Sequence, residues 1–239
     1  MLKEQMKQNQ IGCQPKWKSE MSSYEPVDAE TLLATPLTPV RWLIPDLLPT
    51  GLSLLAGASK SGKSWLCLWL CLQLAQGGEI WGRTVRPQTV LYLSLEDTPK
   101  RIQNRLSQLT ETPVPNRLYF QTRCEAIGEG FEFELELFFA KHPETGLIVI
   151  DTLQKVRIDT QNSGVYARDY QDMSALKSIA DSHNVGILVV HHLRKQGAND
   201  PFLQISGSNG LMGAADTILL LQRQRMNSTA KLLVTGRDM

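Results

Sequence analysis

From residue 52 onward, short apolar runs alternate with longer amphipathic stretches. "LSLLAG" (52–57), "TVLYLSL" (89–95), "RLYFQ" (117–121), "LIVID" (147–151), "VGILVVH" (185–191) and "DTILLLQ" (216–222) predict strands, and "KLLVTGRDM" (231–239) a last strand running into the end of the chain. Their near-continuous hydrophobicity is that of strands covered on both faces, as in a parallel sheet. Between them, Ile102, Leu106 and Leu109 recur at helical spacing, as do Met173, Leu176 and Ala180, and each set forms one apolar stripe. Such alternation predicts an α/β domain with helical crossovers. "WLCLWLCLQLA" (65–75) predicts a helix buried on all sides and is too short to span a bilayer.

The first 30 or so residues lack this patterning. They are polar, rich in Gln, Lys, Ser and Glu, and predict a loosely ordered tail over 1–30 ahead of one domain over 31–239. "TPLTPVRWLIPDLLPTG" (35–51) reads as an irregular, proline-punctuated lead-in. "QKVRIDTQNSGVYARD" (154–169) and "RKQGANDPFLQISGSNGLMGAAD" (194–216) read as long loops. With no helix or tail after "KLLVTGRDM", the chain reads as one cut short.

Composition narrows the class without naming it. A chain of 239 residues with 42% hydrophobic and 21% charged residues suits a globular domain with a sizeable core. A net charge of +1 gives no global basic field, so any nucleic-acid contact would be local. Cys13, Cys67, Cys71 and Cys124 show no zinc-ligand spacing and fit the reducing cytoplasm, and the N-terminus has no apolar signal core.

"GASKSGKS" (57–64) matches GxxxxGK[ST] between a predicted strand and a predicted helix, the setting that motif needs. Gly57 and Gly62 let the loop turn tightly, so that the amides of Gly57, Ala58, Ser59, Lys60, Ser61, Gly62, Lys63 and Ser64 can cradle phosphates at a helix N-terminus. Lys63 can reach the β- and γ-phosphates of ATP, and the Ser64 hydroxyl and Asp151 at the end of "LIVID" can hold Mg²⁺. "VLYLSLEDTPK" ends in two acids. We expect its strand beside the phosphate-loop strand, with Glu96 facing the nucleotide to position or deprotonate water and Asp97, before Thr98 and Pro99, capping the next helix. At "VVHHLRK", His191 and His192 point to opposite faces, so they are no metal pair; one of them can contact the γ-phosphate. Arg101 and Arg105 share a helix face and read as a solvated stripe. Lys155, Arg157, Arg168, Arg194 and Lys195 in the two loops are the candidate nucleic-acid phosphate contacts. Among Arg223, Arg225 and Arg237, spacing does not choose an arginine finger; Arg237 in "TGRD" ranks first and Arg223 second.

With "WLIPDLLPTGLSLLAGASKSGKSWL", "VLYLSLED", "LIVIDTLQKVR", "DYQDM", "VVHHLRK" and "TGRD" together, the chain from about residue 36 resembles the RecA-like ATPases. Within them it is similar to the RepA-type replicative helicases of plasmids, phages and integrative elements. The resemblance implies a parallel sheet in RecA-like order, a ring homo-oligomer, usually a hexamer, and ATP between subunits. It also implies water activation by Glu96, a phosphate sensor near His192, and loops facing single-stranded DNA. Two departures stand out: that family continues past "GRD", and these loops lack dense basic or aromatic character. The expected activity is that of an Mg²⁺-dependent ATPase driving a DNA helicase. The rival is a nucleotide-switched assembly or regulatory ATPase that unwinds nothing. A small-molecule kinase would need an acceptor motif that the sequence lacks, and the glycine spacing argues against a dinucleotide oxidoreductase.

Overall fold

A computed structural model of the chain describes residues 26–37, 39–111, 113–158, 165–193, 201–205, 209–224 and 227–239. Two compact units are distinguished, Met1–Pro39 and Val40–Met239. In the first, helix α1 (Ala29–Ala34) is capped by Asp28, whose side chain accepts from the Thr31 amide at 2.9 Å. An ordered helix therefore stands at the edge of the expected tail.

The second unit runs β1 (Trp42–Ile44), β2 (Leu48–Pro49), β3 (Gly51–Gly57), α2 (Lys63–Gln76), β4 (Gly78–Ile80), β5 (Arg83–Val85), β6 (Thr89–Ser94), α3 (Pro99–Leu109), β7 (Leu118–Gln121), α4 (Phe131–Lys141), β8 (Thr145–Asp151), α5 (Val165–His183), β9 (Gly186–His192), α6 (Asn209–Ala214), β10 (Thr217–Gln222) and β11 (Lys231–Gly236). A seven-stranded sheet has the order β11-β10-β3-β9-β8-β6-β7. Every pairing in it is parallel except β10 with β11. All seven positions of β3 and of β8 are buried, as continuous apolar runs require when both faces are covered. On one face lie Phe131, Leu135 and Phe139 of α4 with Met173, Leu176 and Ala180 of α5. On the other lie Cys67, Leu68, Cys71 and Leu74 of α2 with Leu43, Ile44 and Leu48 of the β1–β2 pair. Helix α2 is buried nearly all round, with Trp65, 38% exposed, the exception.

One expectation about order is corrected. β6 does not lie beside β3; β9 and β8 both intervene. A crossover helix fixes the hand of a connection and not how many strands it passes, and β8 and β9 fill the sheet centre. Two loop expectations are corrected as well. Residues 165–169 already belong to α5, and the second stretch contains a 3-10 turn (Pro201–Gln204) and α6. The lead-in contains the β1–β2 pair, in which Leu43, Ile44, Leu47 and Leu48 are buried.

Candidate functional site

Parallel strands bring their C-terminal ends to one edge, where α/β proteins bind ligands. Gly57 of β3 is in register with His192 of β9, and Asp151 of β8 with Ser94 of β6. The glycine loop, the histidine, Asp151 and the acids after β6 thereby converge although they are far apart in sequence.

The loop is tight for a stated reason. A Cβ on Gly57 would lie 2.9 Å from the Leu221 carbonyl and 3.0 Å from Ser61 Oγ. Gly62 turns into α2 at φ 103, where a side chain would be strained, and Lys60 bears a positive φ of 62. Lys63 is 5% exposed, and its ammonium donates to Gly57 O (2.8 Å) and Ala58 O (3.0 Å) and contacts His192 Nδ1 at 3.1 Å. Burial lowers its pKa, and the negative charges of Asp151 and Glu96 oppose that. An ammonium has only protons to offer, so Nδ1 is the acceptor and the ring carries its proton on Nε2. Burial first, then the Lys63 charge, pull the His192 pKa down, which favours this neutral form. His191, one residue back, pairs with Ala56 and projects to the other face.

Asp151 is 3% exposed. Tyr92 O–H donates to its Oδ2 at 2.8 Å, and the Ser64 hydroxyl also bonds it. Burial raises the pKa of Asp151, while those two hydrogen bonds work against the rise. Glu96 is exposed and accepts from Thr152 Oγ1 at 3.2 Å, and its charge is felt at Lys63, His192 and Asp151. Glu96 thus reaches the loop's neighbourhood from β6 by way of Thr152. Asp97 turns away: it pairs with Arg101 at 3.0 Å and with Arg105, while Thr98 caps α3 and Pro99 opens it. The cap is one residue later than expected, and the two arginines are a clamp on Asp97 and no free stripe. The guanidinium of Arg105 also lies 5.5 Å from the Trp65 ring centre.

Ser64 and Asp151 are two adjacent hard oxygen donors, and among the described residues no group of three or more His, Cys, Asp or Glu forms a cage. Mg²⁺ keeps most of its waters and takes few protein oxygens, so this pair suits it. Ser61 Oγ is buried without a partner inside the loop, a polar atom that a phosphate oxygen would satisfy.

The other candidates separate. Arg223 lies against its own subunit's loop, with Nη1 3.7 Å from where a Gly62 Cβ would be, and Nε donates to Asn227 O at 2.8 Å. Arg237 stands at the far end of the sheet, donating to Gly213 O (2.8 Å) and Asp216 Oδ1 (3.4 Å). Arg157 is turned inward, ion-paired with Asp169 (2.9 Å) and Asp172 (2.8 Å), so this candidate phosphate contact is committed to holding α5. Lys155 is exposed and Arg168 half-buried on α5. Arg194, Lys195 and Arg225 lie outside the described residues. Two residues that sequence reasoning missed support the site: Tyr92, whose phenol in an apolar strand needs a polar partner, and Thr152, directly after Asp151.

A parallel sheet with a phosphate loop and an acid at neighbouring strand ends defines a RecA-like P-loop ATPase. The chain belongs to the family described as AAA domain, whose model matches residues 18–198. DNA repair protein RadA of Listeria monocytogenes is 28% identical over 181 residues, covering 75% of this chain and 34% of that protein. RadA of Streptococcus pneumoniae is 27% identical over 182 residues, covering 75% and 37%. The chain spans about a third of the length of these curated relatives. A solved structure, the ATPase domain of a phage helicase, superposes with a TM-score of 0.61 at 13% identity, covering 78% of this chain and 77% of that one, which is a likeness of fold. Among the described residues no helix is long and apolar enough to cross a membrane.

Proposed function

We propose that this protein hydrolyses ATP with Mg²⁺ as a ring-forming DNA helicase motor serving replication of a mobile element. The observation that carries the reading is Glu96, hydrogen-bonded to Thr152 and close enough to act electrostatically on Lys63, Asp151 and His192. Support for DNA as the partner comes from the sequence motifs and from relatives named for DNA repair.

In this reading the loop amides and Lys63 hold the phosphates, and Ser64 and Asp151 hold the metal. Mg²⁺ supplies charge neutralisation at the transferring phosphoryl group. Glu96 accepts the proton of the attacking water, and Thr152 fixes its carboxylate so that little reorganisation is needed. His192 offers Nε2–H as a neutral donor that registers the terminal phosphate. A neighbour's arginine, Arg237 by this assignment, completes the charge. Lys155 and Arg168 are the described DNA-contact candidates, with Arg194 and Lys195 beyond them.

The test measures nucleotide binding and hydrolysis with and without single-stranded DNA, with sizing in a non-hydrolysable analogue. Lys63→Ala should abolish hydrolysis. Glu96→Gln should bind ATP normally and lose roughly 100-fold or more in turnover, the scale of general-base loss. An unchanged rate in Glu96→Gln removes Glu96 from its role. A rate indifferent to DNA, with nucleotide-dependent assembly intact, favours the regulatory ATPase instead.

A further inference from the structure

The sheet gives a nucleotide in this loop a direction. On one flank of β3 stand β9, β8 and β6, which bring His192, Asp151 and Glu96; on the other stand β10 and β11. A triphosphate whose outermost phosphate meets the first group runs its base toward β10. On that side is a cavity of about 250 Å³, lined by Ser61 and Gly62 of the loop, Trp65 of the first α2 turn, Arg223 after β10, and Trp81.

Trp81 is the unexpected member. β4 and β5 form a hairpin in which Ile80 pairs with Arg83, so Trp81 and Gly82 are its two turn residues. Both are left-handed, at φ 50 and φ 78, the signature of a type I′ turn. That turn asks for Asn, Asp or Gly at its first central position, and a bulky ring there is an outlier. Trp81 is also half exposed, so burial does not explain the choice. Local strain that places an exposed indole beside a phosphate loop is a mark of use. The orphaned Ser61 hydroxyl in the same wall independently points to a ligand.

We propose that this cavity seats the nucleobase, with Trp81 stacking on it and Arg223 of the same subunit beside it. The proposal rests on the ATPase reading above and adds its base selectivity. No carboxylate or carboxamide stands among the described lining residues to read a base edge. The site therefore takes purines by their broad stacking face and distinguishes adenine from guanine weakly. Arg223 accordingly serves its own subunit's nucleotide and is no finger for the neighbour's. A larger cavity of about 550 Å³ on its other side, reaching Ala58, Leu193 and Gln204, has no aromatic wall.

Calorimetric titration of the full chain with Mg²⁺ and ATP, GTP or inorganic tripolyphosphate tests this. Tripolyphosphate fills the phosphate loop and has no base. Trp81→Asn suits the turn and should melt no lower than wild type, yet bind ATP and GTP about tenfold more weakly, the effect of losing one base–aromatic stack. Its tripolyphosphate affinity should be unchanged, and Trp81→Phe should recover most of the ATP affinity. Equal ATP affinity in Trp81→Asn and wild type, or an equal loss for tripolyphosphate, overturns the base site. Wild type that binds tripolyphosphate as tightly as ATP also overturns it while leaving the loop standing. Wild type that binds neither overturns the nucleotide reading itself.

Discussion

Single residues in this site are held against their own preference. Asp151 is a carboxylate at 3% exposure, and burial raises its pKa above the ordinary value despite hydrogen bonds from Ser64 and Tyr92. A raised native pKa means that the folded state binds the proton more readily than the unfolded chain. Stability from this group therefore falls as pH rises from about 4 through the native pKa, and at pH 7 the full penalty is present. Asp151→Asn keeps an oxygen for the Tyr92 hydroxyl and removes the charge. It should raise Tm at pH 7 by about 2–4 °C, what ~1 kcal/mol does in a chain of this size, and abolish hydrolysis. In thermal melts the gain should shrink as pH falls toward 4; a gain that persists at acid pH would refute the electrostatic account. Asp151 and the loop were legible in sequence because their neighbours are contiguous residues with fixed spacing. The Thr152–Glu96 bond was not, because it joins two strand ends whose adjacency depends on sheet order.

At the scale of elements, Asp216 ties three together. Its carboxylate accepts from the Leu52 amide at the start of β3 (3.0 Å), pairs with Lys177 of α5 (2.7 Å), and meets Arg237 after β11. Gly51 has no side chain here because a Cβ would lie 2.7 Å from Asp216 Oδ2. Asp216→Ala strands an amide and a lysine, and should cost about 2–3 kcal/mol in denaturant melts. Asp216→Asn, which keeps an acceptor for Leu52, should cost distinctly less. Most strands were legible because unbroken apolar runs have few other uses. Helix α4 was not: "FEFELEL" alternates with period two, like a strand. Its helical stripe, Phe131, Leu135 and Phe139, fits the core, with acids in the first turn and Lys141 in the last favouring the helix dipole. The β4–β5 hairpin was hidden for the opposite reason, since Trp-Gly is not a usual turn signal.

For the whole molecule, the question is what one subunit lends another. Arg237 stands at the opposite end of the sheet from its own phosphate loop, so any contact it makes with a triphosphate is with a neighbour's. Its 3.4 Å pair with Asp216 is half exposed and is worth less than about 1 kcal/mol. Arg237→Ala should therefore shift Tm by under about 4 °C while removing hydrolysis. Mixing it with Lys63→Ala should restore activity that neither variant has alone, because each supplies what the other's shared site lacks. Mixtures that stay inactive would remove Arg237 from the finger role. The Gly57 carbonyl has a consequence at the same scale. It receives both the Lys63 ammonium and, at 3.2 Å, the Leu193 amide just beyond β9. A phosphate that draws the lysine toward itself must compete with that oxygen and with the imidazole of His192. Filling the loop is thus a trade of partners that the tip of β9 cannot ignore, and the chain beyond it inherits the news.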